Sequence, residues 1–222
     1  MGKITSIDPH RLNEYISKDS SKEMIELFFF CCLIVAGKKA DVMFPKAYNV
    51  IANSRYNNSD LSPFDFLKRM FEYGSLSNIL IENGTGQYSK INNCIEDLIH
   101  FDYDGDSIKS LTPQELEKVR GIGPKTSRFF LSYVSPNENE YAIIDTHITK
   151  FLMAINPRLK KSTDYYTFEK EYLNICKLIN KNPKEFDLEI WNAYSRRDNE
   201  DIANVISNTK NILLSKQKGE IV

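Results

Sequence analysis

The chain has 222 residues, a net charge of −1 and 41% hydrophobic residues. This length permits one substantial core or two small cooperating subdomains, so folding does not require a disulfide scaffold. The near-neutral charge provides no overall attraction to nucleic acid, so any such partner has to be bound by local groups.

The most apolar segment is the run LFFFCCLIVA at residues 27–36. It is shorter than the ~20 residues that cross a bilayer, and residues 1–20 lack the pattern of a secretion signal. We therefore expect no membrane partner. Two of the four cysteines lie in this run and no C-x-x-C spacing occurs, so we expect reduced cysteines in the core.

Helix-start signals recur along the chain and predict an all-α fold. A capping side chain precedes a first-turn proline at four places. These are Asp8–Pro9, Ser62–Pro63, Thr112–Pro113 and Asn182–Pro183. Glu115 adds a capping box to the third start. Apolar residues recur at helical spacing, as in residues 91–99, and alternating strand patterns are absent.

Residues 116–131, LEKVRGIGPKTSRFFL, predict two helices joined by a very short turn. Gly121 and Gly123 permit positive φ angles and a close backbone approach, and Pro124 suits the first turn of the second helix. The unpaired amides at that helix start are suited to a phosphate group. A plain tight turn between helices is the alternative interpretation.

Asp145 lies twenty residues after Lys125, in the segment YAIIDTH at residues 141–147. We expect it to cap a helix that runs through Phe151. We expect His147 to serve packing or hydrogen bonding rather than metal binding, because the chain has only three histidines and no paired spacing.

The hairpin string V-x-G-I-G-x-K-T-S and the later A-I-I-D-T-H resemble the helix-hairpin-helix DNA glycosylase superfamily, which includes endonuclease III and 8-oxoguanine glycosylase. Residues 33–42, LIVAGKKADV, and residues 84–90, GTGQYSK, resemble further segments of that family more faintly. The similarity ends after Trp191, and the four-cysteine iron–sulfur loop of the family is missing.

The resemblance implies a DNA glycosylase with lyase activity that acts in base excision repair. Lys125 is then the amine that forms a Schiff base with the sugar, and Asp145 is the catalytic carboxylate. The amides of Gly121, Gly123 and Thr126 are the expected phosphate ligands. The implied partner is double-stranded DNA that contains a damaged base or an abasic site.

The resemblance also indicates further contacts at the interface. Lys38 stands where the family has a wedging glutamine, and it and Arg120 are expected DNA-binding residues. The backbone carbonyls of Glu117, Val119 and Ile122 are the expected ligands of a monovalent cation. We expect no iron–sulfur cluster and no other cofactor.

Three functions stay open. The enzyme that nicks the strand is preferred, with an oxidised base, 8-oxoguanine above all, as its substrate. A monofunctional glycosylase that uses water is the second, although such enzymes usually lack the hairpin lysine. A DNA-binding module without catalysis is the third, and it would not require both Lys125 and Asp145.

We expect two helical subdomains with the active-site cleft between them. One comprises residues 37–138, including the hairpin at 112–134, and the other combines residues 1–36 with 139–222. We further expect a monomer inside the cell, in the cytoplasm or nucleoid, or in the nucleus of a eukaryote.

Overall fold

A computed structural model shows the arrangement of the chain and describes residues 8, 12–16, 18–35, 38–54, 61–135, 141–196 and 198–219. These residues form helices and connecting turns without a strand, which confirms the predicted all-α class. The chain packs as two compact units, residues 1–136 and residues 137–222, and each is described by itself.

The first unit contains nine of the described helices. They are α1 (Leu12–Ile16), α2 (Lys22–Val35), α3 (Ala40–Ser54), α4 (Pro63–Glu72), α5 (Leu76–Glu82), α6 (Tyr88–His100), α7 (Gly105–Ile108), α8 (Pro113–Leu116) and α9 (Pro124–Val134). The second unit contains four. They are α10 (Thr146–Ile155), α11 (Tyr165–Ile179), α12 (Pro183–Ser195) and α13 (Asn199–Gly219).

Helix α2 is the centre of the first unit because it is apolar on every face. All residues from Met24 to Ile34 are buried, and the helix packs against α3, α4, α7 and α9. Phe29 contacts Phe130 of α9 edge to face, with ring centroids 5.2 Å apart. Such a helix has no polar face to expose, so its neighbours surround it.

The polar residue within the buried stretch of α2 is Glu26, which is fully buried. Its carboxylate accepts the backbone N–H groups of Phe64 at 3.0 Å and Gly105 at 3.1 Å. These amides lie in the first turns of α4 and α7, so one carboxylate satisfies donors at two helix starts. Burial raises the pKa of Glu26, although the hydrogen bonds act in the opposite direction.

Local sequence signals are confirmed at three of the four predicted helix starts. Ser62, Thr112 and Asn182 are N-caps followed by proline, and Thr112 forms the expected capping box with Glu115. The fourth start, at Asp8–Pro9, includes a residue outside the described ranges.

The cysteines are confirmed as buried and unpaired, at positions 31, 32, 94 and 176. Burial raises the pKa of the Cys176 thiol to about 12, so its sulfur stays protonated at neutral pH. In the part of the chain that the structure describes, no helix combines the length and apolar character needed to span a membrane.

The second unit has its own aromatic core. Phe186 of α12 packs edge to face on Phe151 of α10, with centroids 5.5 Å apart, and lies parallel to Tyr172 of α11. The Tyr172 hydroxyl donates to the carbonyl of Pro183 at 2.8 Å. This hydrogen bond ties α11 to the first turn of α12 and satisfies the polar atom of a buried ring.

The grouping of the N-terminal segment differs from the predicted division. The prediction placed residues 1–36 with residues 139–222, whereas α2 packs within residues 1–136. The physical reason is the apolar surface of α2, which α3, α4, α7 and α9 cover.

Candidate functional site

Helices α8 and α9 are joined by residues 117–123. Gly121 has a φ angle of +90°, and Gly123 is the N-cap of α9 with an extended backbone. Ile122 between them is buried. Pro124 occupies the first turn of α9, as the sequence predicts. The inward isoleucine is therefore as predicted, but the connection is longer than the predicted very short turn, because α8 already ends at Leu116.

Gly121 allows a close approach by α6. A Cβ atom at Gly121 would lie 2.9 Å from Lys90 Cγ and 3.0 Å from the Lys90 carbonyl oxygen. The close backbone approach was predicted, but the structure shows that a residue of this same chain makes it. Lys90 is half-buried, and burial lowers its pKa. Its ammonium donates to the Leu33 carbonyl at the end of α2, at 3.1 Å.

The start of α9 carries amides without partners. Among the described residues, no hydrogen bond is donated by the backbone N–H of Gly121, Gly123, Lys125 or Thr126. A Cβ atom at Gly123 would meet nothing within 4 Å, so the space beside this N-cap is open. The Lys125 side chain is exposed and has no ion pair with a described residue. The predicted phosphate ligands therefore have unused donors.

A buried ion pair holds the two hairpin helices together. Glu117 Oε1 accepts a hydrogen bond from Arg128 Nη1, and it also accepts the Ser127 hydroxyl at 3.0 Å. The Arg128 side chain is only 2% exposed. This arginine lies in a basic stretch of sequence, yet the structure directs it into the hairpin.

Arg120 contacts carboxylates of α6. Its guanidinium donates to Asp97 through Nε and Nη2 and to Glu96 through Nη2, at distances from 2.6 to 3.1 Å. Its backbone N–H donates to Asp97 at 2.7 Å. The hydrogen bonds from Arg120 hold the pKa of Asp97 below its usual value. The predicted role of Arg120 in DNA binding stays a prediction. Its side chain already has two anionic partners.

Lys38 contacts the loop before α6. Its exposed side chain donates from Nζ to the carbonyl of Thr85 at 3.0 Å. Lys46, which the sequence did not single out, donates to the neighbouring carbonyl of Gly84 at 2.9 Å. The predicted phosphate contact of Lys38 is untested by these distances, but the structure adds a second cation beside it.

The predicted cation ligands are partly engaged. The carbonyl of Val119 accepts the N–H of Ile122 at 3.0 Å, while the carbonyl of Ile122 accepts no backbone hydrogen bond from the described residues. The monovalent cation stays a prediction. Among side chains in the described ranges, no group of three or more His, Cys, Asp or Glu residues could hold a metal ion.

Asp145 is confirmed as the N-cap of α10. Its Oδ1 accepts the backbone N–H groups of His147 at 2.7 Å and Ile148 at 2.9 Å. Its Oδ2 accepts no hydrogen bond from a described residue, and the side chain is partly exposed. The cap orients the carboxylate and leaves one oxygen available. The His147 ring lies 5.9 Å from the Tyr194 ring, and its buried Nδ1 has no partner among the described residues.

A surface pocket of about 370 Å³ lies within the second unit. Its lining includes the ion pair between Lys181 and Glu189, together with Val205, Thr209 and Ile212. None of the predicted site residues lines this pocket, so it provides no argument about the hairpin or Asp145.

Sequence reasoning missed Lys46, Lys90 and the Glu117–Arg128 pair. Lys38 precedes α3 and Lys46 lies within it, so helical spacing does not link the two lysines. The partners of Lys90 and Arg128 depend on how distant segments pack, and no local pattern indicates them.

Comparison of the chain with protein-family models, with curated proteins and with solved structures finds no match.

Proposed function

We propose that this protein is a DNA glycosylase that excises a damaged base and then nicks the strand through a lysine Schiff base. The observation that carries the proposal is the start of α9, where unpaired amides and the exposed amine of Lys125 lie within a few residues of each other. An oxidised base, with 8-oxoguanine as the first candidate, is the proposed substrate.

The start of α9 is suited to a DNA phosphate. Its N–H groups point out of the helix and carry the positive end of the helix dipole. Gly121 and Gly123 keep side chains away from these amides, and Gly123 faces open space. Backbone amides recognise phosphate oxygens without reading the bases, so this contact would position the duplex at any sequence.

The chemistry requires the target nucleotide to be turned out of the duplex, because the glycosidic carbon is otherwise shielded. The neutral amine of Lys125 then attacks C1′, and the bond from C1′ to the base breaks as the base leaves with a proton. The nitrogen of the resulting adduct loses a proton, and the C1′–O4′ bond then breaks as O4′ takes up a proton, which opens the sugar ring and leaves an iminium ion at C1′. Removal of a C2′ proton then expels the 3′ phosphate by cleavage of the C3′–O bond.

Asp145 of the second unit is proposed as the catalytic carboxylate, as the resemblance to the glycosylase superfamily implies. Its Oδ1 is held by two backbone amides of α10, which restricts the carboxylate to one orientation. A preoriented charge stabilises a transition state without having to reorganise at the moment of reaction. Oδ2 would supply this charge.

Sodium borohydride trapping tests the proposal. Borohydride reduces the Schiff base to a stable amine, so the wild-type protein should become cross-linked to duplexes that contain 8-oxoguanine or an abasic site. Lys125→Ala should abolish the cross-link. Lys118→Ala is the matched control, because Lys118 is also an exposed lysine of the same hairpin and should leave trapping unchanged.

The outcomes separate the candidate functions. A cross-link that persists in Lys125→Ala would identify a different amine as the nucleophile. Base release that leaves an intact abasic strand would establish a monofunctional glycosylase instead. DNA binding without release of any base from a panel of single-lesion duplexes would leave a binding module without catalysis.

A further inference from the structure

Two lysine ammonium groups converge on the loop between α5 and α6. Lys38 Nζ donates to the Thr85 carbonyl at 3.0 Å, and Lys46 Nζ donates to the Gly84 carbonyl at 2.9 Å. These carbonyls belong to consecutive residues. The two positive charges are therefore brought to one short stretch of backbone.

Glycines make this convergence possible. A Cβ atom at Gly86 would lie 2.7 Å from Lys38 Nζ, which is closer than a carbon can approach without displacing the ammonium. A Cβ atom at Gly84 would lie 3.4 Å from Lys46 Nζ. Gly86 and Gly84 also have positive φ angles, +69° and +60°, which residues other than glycine rarely adopt. The loop conformation and the space for the ammonium groups thus depend on the same residues.

No carboxylate in the part of the chain that the structure describes pairs with either charge. Among the described residues, neither Lys38 nor Lys46 takes part in an ion pair. Each ammonium has three N–H donors and gives one to a loop carbonyl, so two donors remain on each. The two ammonium groups donate to the carbonyls of consecutive residues, and an anion that accepts from both would relieve the repulsion between their charges.

Helix α6 adds to the local positive potential. It begins at Tyr88, directly after this loop, and its N-cap residue Gln87 makes no side-chain capping hydrogen bond. The positive end of a 13-residue helix therefore lies beside the lysine pair. The loop and the hairpin turn both adjoin the beginning of α6, because Gly121 contacts Lys90 there.

We infer that Lys38 and Lys46 together bind one backbone phosphate of the DNA, at a site separate from the amides of α9. This inference rests on the proposed function, since it names a second contact to the same duplex. A chain with a net charge of −1 needs local cations to hold a polyanion, and this unneutralised pair supplies them. The contact is with phosphate oxygens and carries no sequence preference.

The salt dependence of DNA binding tests this site. Each phosphate neutralised by a protein contributes about −0.9 to the slope of log affinity against log salt concentration. Lys38→Met with Lys46→Met should therefore make the slope about 0.9 shallower. When the salt concentration rises from 50 to 200 mM, both proteins lose affinity for DNA. The fold-loss of the double variant should be about 3.5 times smaller than that of the wild type. The ligand is a duplex with a tetrahydrofuran abasic analogue, which the lyase reaction cannot cleave.

The matched control is Lys39→Met with Lys118→Met, which removes two exposed lysines of the same unit. It should keep the wild-type slope. Lys38→Arg with Lys46→Arg should also keep it, because the charges are retained. Lys38→Met alone, at an exposed side chain, is the second variant if the double substitution unfolds the loop, and it should make the slope shallower in the same direction.

The results distinguish failure of this inference from failure of the proposed function. A wild-type protein that neither binds the duplex nor forms the borohydride cross-link would overturn the proposed function and this site with it. A wild-type protein that binds and cross-links, with equal slopes for the Lys38/Lys46 and Lys39/Lys118 variants, would overturn the lysine pair alone.

Discussion

Replacement of each hairpin glycine by alanine should have very different consequences, although Gly121 and Gly123 flank the same isoleucine. Gly121 has a φ angle of +90° and lies against Lys90. Gly123 has an extended backbone and open space where a Cβ atom would be. We therefore predict that Gly121→Ala destabilises the protein strongly and that Gly123→Ala does not.

The magnitude follows from two costs at Gly121. A left-handed backbone costs an alanine about 1–2 kcal/mol relative to glycine. The new methyl group would lie 3.0 Å from the Lys90 carbonyl oxygen, a backbone atom of α6 that cannot rotate away, and such overpacking costs about 1–3 kcal/mol. Alanine also reduces the conformational entropy of the unfolded chain, which stabilises the folded state by about 0.4–1 kcal/mol. We expect a net loss of about 2–4 kcal/mol for Gly121→Ala and less than about 1 kcal/mol for Gly123→Ala.

Urea unfolding followed by far-UV circular dichroism measures this difference. With a slope of about 2 kcal/mol per molar urea, the predicted loss lowers the midpoint for Gly121→Ala by about 1–2 M. Equal midpoints for the two alanine variants would refute the reasoning from φ and close contact.

Three further predictions concern the charged residues. Glu117→Ala should lower the free energy of unfolding by about 3–5 kcal/mol, because it leaves the buried Arg128 guanidinium without this carboxylate, and adding Arg128→Met should restore part of the loss in the same urea assay. The pKa of Asp97 is lowered in the folded state by Arg120, so its contribution to stability is present above the unfolded pKa and is lost as the pH falls through the folded one. Asp97→Asn should thus flatten the acid side of a plot of melting temperature against pH, and an unchanged acid side would contradict this assignment. Asp145→Asn should keep the α10 cap and the melting temperature but abolish base release. Asp145→Ala should also cost about 1 kcal/mol of stability. Full activity of the asparagine variant would exclude a catalytic charge at this position.

Local features of the fold could be predicted from the sequence because they depend on residues only a few positions apart. The N-caps at Ser62, Thr112, Asn182 and Asp145 are all confirmed. A capping side chain bonds an amide two or three residues away, so the interaction is present in the sequence before any packing occurs. The all-α class follows from the same signals together with helical apolar spacing.

The candidate site could be predicted only in part. The inward Ile122 and the first-turn Pro124 follow from the string G-I-G-P, and the structure confirms both. The predicted very short turn is wrong, because α8 ends at Leu116 and residues 117–123 connect it to α9. The partners of the cations do not follow from it. Arg120 pairs with Asp97, which lies 23 residues earlier, and Lys38 donates to Thr85, which lies 47 residues later.

By itself, the sequence determined where helices begin, which residues cap them and which segment is too apolar to be exposed. Only the tertiary structure decided which basic residues are exposed and which are engaged. It buried Arg128 against Glu117, paired Arg120 with α6 and gathered Lys38 and Lys46 on one loop. The physical reason is that the sequence does not distinguish a basic side chain in solvent from one that pairs with a distant carboxylate. Packing between remote segments decides between these two environments.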